Sequence, residues 1–258
     1  MEDLRITLIQ TDLYWENTIA NLAMLEEKVH TLESATDLIV LPEMFNSGFS
    51  QNVKQTAEPM NLTTHRWMRQ MAAQTDAVVT GSFAVKEGNR FVNRLLWVEP
   101  DGTTAFYDKR HLYRMGFENE HFTAGSERII RNWRGWNICP LICYDLRFPI
   151  WSRNVHLEYD LLLYVASWPA QRNHVWQSLL TARALENLTY VAGVNRIGTD
   201  GNDIEHIGGT VLYDFKGISQ NTLNAEESIL QFTLSKSELT RFREKFPAHL
   251  DADGFEII

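Results

Sequence analysis

Four short, predominantly apolar runs constrain this chain more than any other feature: DLIVL (37–41), WNICPLI (136–142), LLLYVA (161–166) and YVAGVN (190–195). Such runs have no polar face to offer to water, so they belong inside a sheet that is covered on both sides. Between them lie segments of a different period. Residues 17–32 bring Leu22, Leu25, Val29 and Leu32 to one side of a helix, and 62–74, 173–187 and 236–245 read as further helices. Residues 5–10, 77–85 and 91–98 read as strands, and a turn at Asp101-Gly102 leads into another at 104–107. Strands that alternate with helices in this way predict a layered α/β domain. No repeat, low-complexity tract or Pro/Gly-rich linker divides residues 1–258, so a single domain is expected. The chain ends Phe255-Glu256-Ile257-Ile258, and this apolar end suggests that the tail, from about residue 247, packs on a partner subunit.

Composition excludes several classes. Eight Trp, eight Tyr and thirteen Phe are too many for a solvated coil. A net charge of −9 argues against a nucleic-acid surface, which needs clustered Lys and Arg. No apolar run reaches the ~18 residues of a membrane span. The start, MEDLRITLIQ, has acids where a signal peptide carries basic residues, so a cytoplasmic protein without a leader is expected. Cys139 and Cys143, if the segment between them is extended, stand roughly 13 Å apart, beyond the ~7 Å reach of a disulfide. They are expected as two free thiols.

Three segments carry candidate chemistry. In LPEMF, Pro42 ends the strand and leaves Glu43 at a strand end, where α/β folds place ligands; an N-capping or surface glutamate is the plainer alternative. In YDKRHL, Lys109 follows an extended stretch and could equally sit in an exposed charged turn. The most informative is GWNICPLICYDLRFP. An apolar strand runs into Cys143, polar residues follow, and Pro149 starts a helix. Strand–turn–helix placement suits a nucleophile, because the turn exposes the side chain and the following N–H groups can serve an oxyanion. The alternative for Cys143 is a buried small hydrophobe, and Cys139, inside the strand, keeps that reading. No G-x-S-x-G elbow, Walker loop or histidine pair at zinc-ligand spacing is present, so neither a metal nor an organic cofactor is expected.

In this order, LPEMF, YDKRHL and ICYDLRFP resemble the Glu–Lys–Cys pattern of the nitrilase (carbon–nitrogen hydrolase) superfamily, and VASWPAQRNHVWQSLLTARALENLTYVAGVNRIG (165–198) supports the match. Within it the chain looks most like the bacterial branch of the Nit2-type omega-amidases. The resemblance implies a four-layer αββα sandwich, a homodimer, and a small-molecule amide as substrate, with 2-oxoglutaramate and 2-oxosuccinamate preferred. It implies that Glu43, Lys109 and Cys143 are catalytic. A second family glutamate, counted back from Gly125, selects Glu118, with Glu120 as the alternative. Arg147, in a matching family position, would hold a substrate carboxylate, with Arg172 as a second candidate; Trp168 and Tyr144, with Phe117, would line the pocket. A structural ion pair of Arg147 with Asp145 or Glu186 is the competing reading. Other amidases of the superfamily, N-carbamoyl hydrolases, a scaffold that has lost the chemistry and a thiol redox sensor at Cys143 are the rival functions.

Overall fold

The computed structural model describes residues 3–32 and 34–254. In chain order it carries β1 (Leu4–Gln10), α1 (Thr18–His30), β2 (Leu38–Val40), α2 (Val53–Thr56), α3 (Thr63–Thr75), β3 (Val78–Glu87), β4 (Arg90–Val98) and β5 (Thr104–Asp108). Next come α4 (Glu118–His121), β6 (Arg131–Trp133), β7 (Trp136–Ile142), α5 (Pro149–Ser152), β8 (Leu161–Ala166), α6 (Asn173–Asn187) and β9 (Tyr190–Asn195). The last elements are β10 (Ile197–Thr199), β11 (Glu205–Ile207), β12 (Val211–Tyr213), β13 (Ser228–Leu234) and α7 (Lys236–Lys245).

Two sheets organise these elements. One has the order β13-β1-β2-β3-β4-β5 and the other β12-β9-β8-β7-β6, while β10 and β11 form a separate hairpin. Pairing is parallel from β1 through β3 and from β7 through β9. Because β3–β4 and β4–β5 are both antiparallel, β5 again runs in the direction of β2. The carboxyl ends of β2 and β5 therefore lie at the same edge of the first sheet, and those of β7, β8 and β9 at one edge of the second.

Side-chain alternation along the strands builds the layers. Leu4, Ile6, Leu8, Leu38, Val40, Leu95 and Trp97 share one core cluster with Ile138, Leu161, Leu163 and Val165, so the two sheets pack face to face. Ile9, Ile39 and Val79 point the other way, onto Leu22, Leu25 and Val29 of α1 and Met68, Met71 and Ala72 of α3. Against the second sheet, α6 presents Trp176, Leu180 and Ala184. It comes so close that a Cβ on Gly193 of β9 would stand 2.5 Å from Leu180 Cδ1. The result is the expected αββα sandwich, each large apolar side chain in it contributing about 1.5–3 kcal/mol by burial.

The expected helices and strands lie within one or two residues of those observed. Five strands have no counterpart in the sequence reading: β6, β10, β11, β12 and β13. Four are only three residues long, and β13 shows a mixed burial pattern without clean alternation. β13 exists because β1 offers it a partner, in antiparallel register from Leu4↔Leu234 to Gln10↔Ser228. Of the tail, Ala248–Asp251 forms a 3₁₀ turn with Ala248 and His249 half-buried and Leu250 and Asp251 exposed; residues 255–258 lie outside the described residues. Among the described residues no helix is long and apolar enough to cross a membrane.

Candidate active site

β7 delivers Cys143 at the carboxyl edge of its sheet, and the backbone there turns sharply. Cys143 has φ +44°, in the left-handed region that non-glycine residues avoid, and a short 3₁₀ helix (Cys143–Arg147) separates it from Pro149, the first residue of α5. The same device recurs twice. Met44, directly after Glu43, has φ +48°, and Phe117, directly before Glu118, has φ +57°. Three residues of the expected constellation thus sit at or beside strained reversals.

The structure brings four of the expected side chains together. Glu43, Lys109 and Glu118 are fully enclosed, and Cys143 is buried beside them. Lys109 Nζ donates to Glu43 Oε1 at 2.7 Å and to Glu118 Oε1 and Oε2 at 3.0 and 2.9 Å. The exposed charged turn considered for Lys109 is therefore not what forms: Asp108 pairs with Arg94 at 2.6 Å, and Arg110 lies over the Trp151 ring. The Ser167 backbone N–H, just past β8, donates to Glu43 Oε2 at 2.9 Å, and the Glu43 charge acts on the Cys143 thiol. Glu118, the first residue of α4, points inward and takes the Tyr113 N–H at 2.6 Å; Glu120, two residues on, faces solvent.

Asn93 of β4 belongs to the cluster and was not singled out from sequence. Its Nδ2 group donates to both glutamates, at 2.9 Å to Glu43 and 3.0 Å to Glu118. The one available signal was an uncharged polar residue, beside Arg94, in the middle of β4. Gly125 is the other backbone device. Its N–H donates to the Lys109 carbonyl at 2.9 Å, and a Cβ there would stand 2.2 Å from the Asp108 carbonyl oxygen.

Electrostatics follow from this packing. Burial works against the Lys109 ammonium, but the charges of Glu118 and Glu43 override it and hold its pKa above the ordinary lysine value. Burial pushes the Glu118 carboxyl up; Lys109 pulls it down and nearby Glu43 pushes it up again, with a net rise. Burial, reinforced by the Glu43 charge, drives the Cys143 thiol well above its ordinary range, so the resting sulfur carries its proton. Cys139 is a different case: burial in the core pushes it up to about 12, and it remains a packing residue. Both thiols are free.

Cys143, Glu43 and Lys109 open into a cavity of about 580 Å³ that is also lined by Tyr113, Phe117, Tyr144, Arg147, Trp168 and Arg172. Arg147 forms no ion pair with a described residue. Glu186 is taken by Arg183 at 2.8 Å, and Asp145 accepts from Tyr107, His111 and Ile142 instead. The Arg147 guanidinium lies over Trp168, 5.3 Å from the ring centre, and Arg172 lies 5.4 Å over Tyr113. Two cations without a carboxylate partner among the described residues thus line the same cavity as the thiol. Among the described residues no group of three or more His, Cys, Asp or Glu side chains could hold a metal ion.

Sandwich, strand-end cysteine and buried Glu–Lys–Glu cluster together define the class: the chain belongs to the carbon–nitrogen hydrolase family, whose model matches residues 5–244. It is 46% identical to the omega-amidase YafV of Escherichia coli (strain K12) over 258 residues, all of both chains. It is 29% identical to the 2-oxoglutaramate amidase of Bacillus subtilis (strain 168), across 95% of this chain and 96% of that one. Among solved structures it is similar to XC1258 of Xanthomonas campestris, a CN-hydrolase superfamily protein with an arsenic adduct in its active site, at a TM-score of 0.98, 41% identity and full coverage of both chains.

Proposed function

We propose that the protein is an omega-amidase, hydrolysing the terminal amide of a 2-oxo acid such as 2-oxoglutaramate or 2-oxosuccinamate to the dicarboxylic 2-oxo acid and ammonia. The observation that carries the reading is that a thiol–carboxylate–ammonium cluster and two arginines, neither in an ion pair with a described residue, line one cavity. The relatives named omega-amidase and 2-oxoglutaramate amidase support it.

Glu43 removes the Cys143 proton, and the thiolate attacks the amide carbonyl. Lys109 and the Tyr144 N–H stabilise the charge on oxygen, a donor of this kind being worth ~3–4 kcal/mol. Glu43 then returns the proton to nitrogen, ammonia leaves, and a thioester remains. Water, deprotonated by Glu43, releases the acid and the free thiol. Glu118 holds Lys109 and, through Asn93, orients Glu43. Arg147 grips the distant carboxylate by its two-pronged geometry, with Arg172 as the second candidate, and Trp168 and Tyr144 wall the chain between. No cofactor enters the scheme. A cytoplasmic homodimer completes the proposal, and light scattering on the purified protein tests the assembly.

Ammonia release from 2-oxoglutaramate, N-carbamoyl amino acids and simple nitriles at equal concentration tests the reading. The keto-acid amide is expected to react fastest. Faster turnover of an N-carbamoyl compound would transfer the protein to another branch of the superfamily.

A further inference from the structure

Asp145 is fully buried, and no lysine or arginine neutralises it among the described residues. Four donors converge on it instead. Oδ2 accepts the Tyr107 hydroxyl at 2.7 Å and the Ile142 N–H at 3.0 Å; Oδ1 accepts the His111 N–H at 3.1 Å and its ring Nδ1–H at 2.8 Å. Their positions along the chain are informative. Tyr107 and His111 flank Lys109, two residues to either side, while Ile142 immediately precedes Cys143 and Asp145 follows two residues later. The donors are themselves braced: the Tyr107 oxygen also accepts the Trp151 indole N–H at 3.0 Å, and the His111 ring stacks on Phe148 at 3.7 Å.

We infer that Asp145 is a positioning residue for the reaction, one carboxylate that ties the turn bearing the sulfur to the strand end bearing the ammonium and so sets the distance between them. This rests on Cys143 being the nucleophile, as proposed above. Only an acceptor-only group can satisfy four donors, two of them backbone N–H groups that cannot reverse. An amide of the same shape would turn an NH₂ group toward one of those N–H groups and break one side of the tie.

Asp145→Asn tests the inference, and its folding is checked by circular dichroism and melting. With the cavity walls untouched, kcat is expected to fall at least about tenfold while KM stays within about threefold. Alkylation of Cys143 by iodoacetamide supplies the second readout. A sulfur displaced from the ammonium should react more slowly at neutral pH, with the midpoint of its pH dependence moved upward. If Asp145 acted only through its charge, removing that charge would speed alkylation. Faster alkylation, or an unchanged kcat and alkylation rate, would overturn the inference. Should the Asn variant fail to fold, a Tyr107→Phe/His111→Ala double variant removes two of the four donors and keeps the carboxylate. It is expected to slow both turnover and alkylation, and unchanged rates there overturn the inference equally. Alkylation needs no substrate, so a wild-type protein inactive on keto-acid amides would defeat the substrate reading without touching this result.

Discussion

The Lys109 ammonium stands 2.7 Å from Glu43 Oε1, with neither side chain reached by solvent. An enclosed ion pair is costly to desolvate and adds little to stability in itself. Its use lies in the reaction proposed above, in which the carboxylate serves as the base and the ammonium stands where negative charge appears.

Replacing Cys143 with Ala should lower ammonia release by about a thousandfold or more without lowering the melting temperature, since the side chain shrinks by one sulfur at a cavity wall. Turnover at the wild-type rate in that variant would exclude the thioester.

Lys109→Met should abolish turnover and destabilise the fold, because two buried carboxylates lose their common cation; breaking such a pair costs about 3–5 kcal/mol. The deficit depends on pH. Glu118 is already raised above its ordinary value, and without Lys109 it rises further. A carboxyl raised in the folded state favours folding while protonated and opposes it as pH climbs past its unfolded value. Melting curves should therefore show the variant closest to wild type near pH 5 and furthest from it near pH 8; the reverse order would contradict the charge argument.

Asn93→Leu keeps the number and branching of the side-chain heavy atoms, in a bulkier tetrahedral group, and deletes both donations to Glu43 and Glu118. A displaced base should cost about a hundredfold in kcat. Asn93→Asp adds a third carboxylate and should be the less stable of the two. Steady-state kinetics with thermal melts on both variants distinguish orientation from bulk.

Arg147→Lys removes the planar fork while retaining the charge. KM for 2-oxoglutaramate should rise about tenfold, with little change for a neutral amide of similar length. Equal effects on both substrates would remove Arg147 from recognition, and the parallel Arg172→Lys variant then becomes the informative one.

Gly125→Ala drives a Cβ into the Asp108 carbonyl, one residue from Lys109. Overpacking of this kind costs about 1–3 kcal/mol. Here it should also reduce kcat, because the strand end that carries the ammonium must move. A variant with reduced stability and wild-type kcat would show that the approach serves the fold alone.

Much of this was legible in the chain. Predominantly apolar runs and helical spacing are local properties, so β2, β7, β8, β9, α1, α3 and α6 fall close to where they were expected. The resemblance carried by LPEMF, YDKRHL and ICYDLRFP pointed to Glu43, Lys109 and Cys143, and a count from Gly125 pointed to Glu118. Asn93 was not legible, because a polar residue next to Arg94 in a strand looks the same whether it faces water or two carboxylates. The ion pair considered for Arg147 was equally undecidable, since Asp145 is within reach in sequence yet its lone pairs are spent elsewhere.

Local pattern by itself determined the layered α/β class and the principal elements, since periodicity needs no knowledge of what lies across the core, while the candidate reactive groups came from the likeness of three short motifs to a known family. Tertiary structure decided which of these groups meet. Glu43, Asn93, Lys109, Glu118, Cys143 and Ser167 come from separate segments, and they converge because two sheets packed face to face bring the carboxyl ends of β2, β5, β7 and β8 to one place. Strands as short as β12, and β13 with its weak alternation, form only when a neighbour supplies the hydrogen bonds that their own sequences cannot announce.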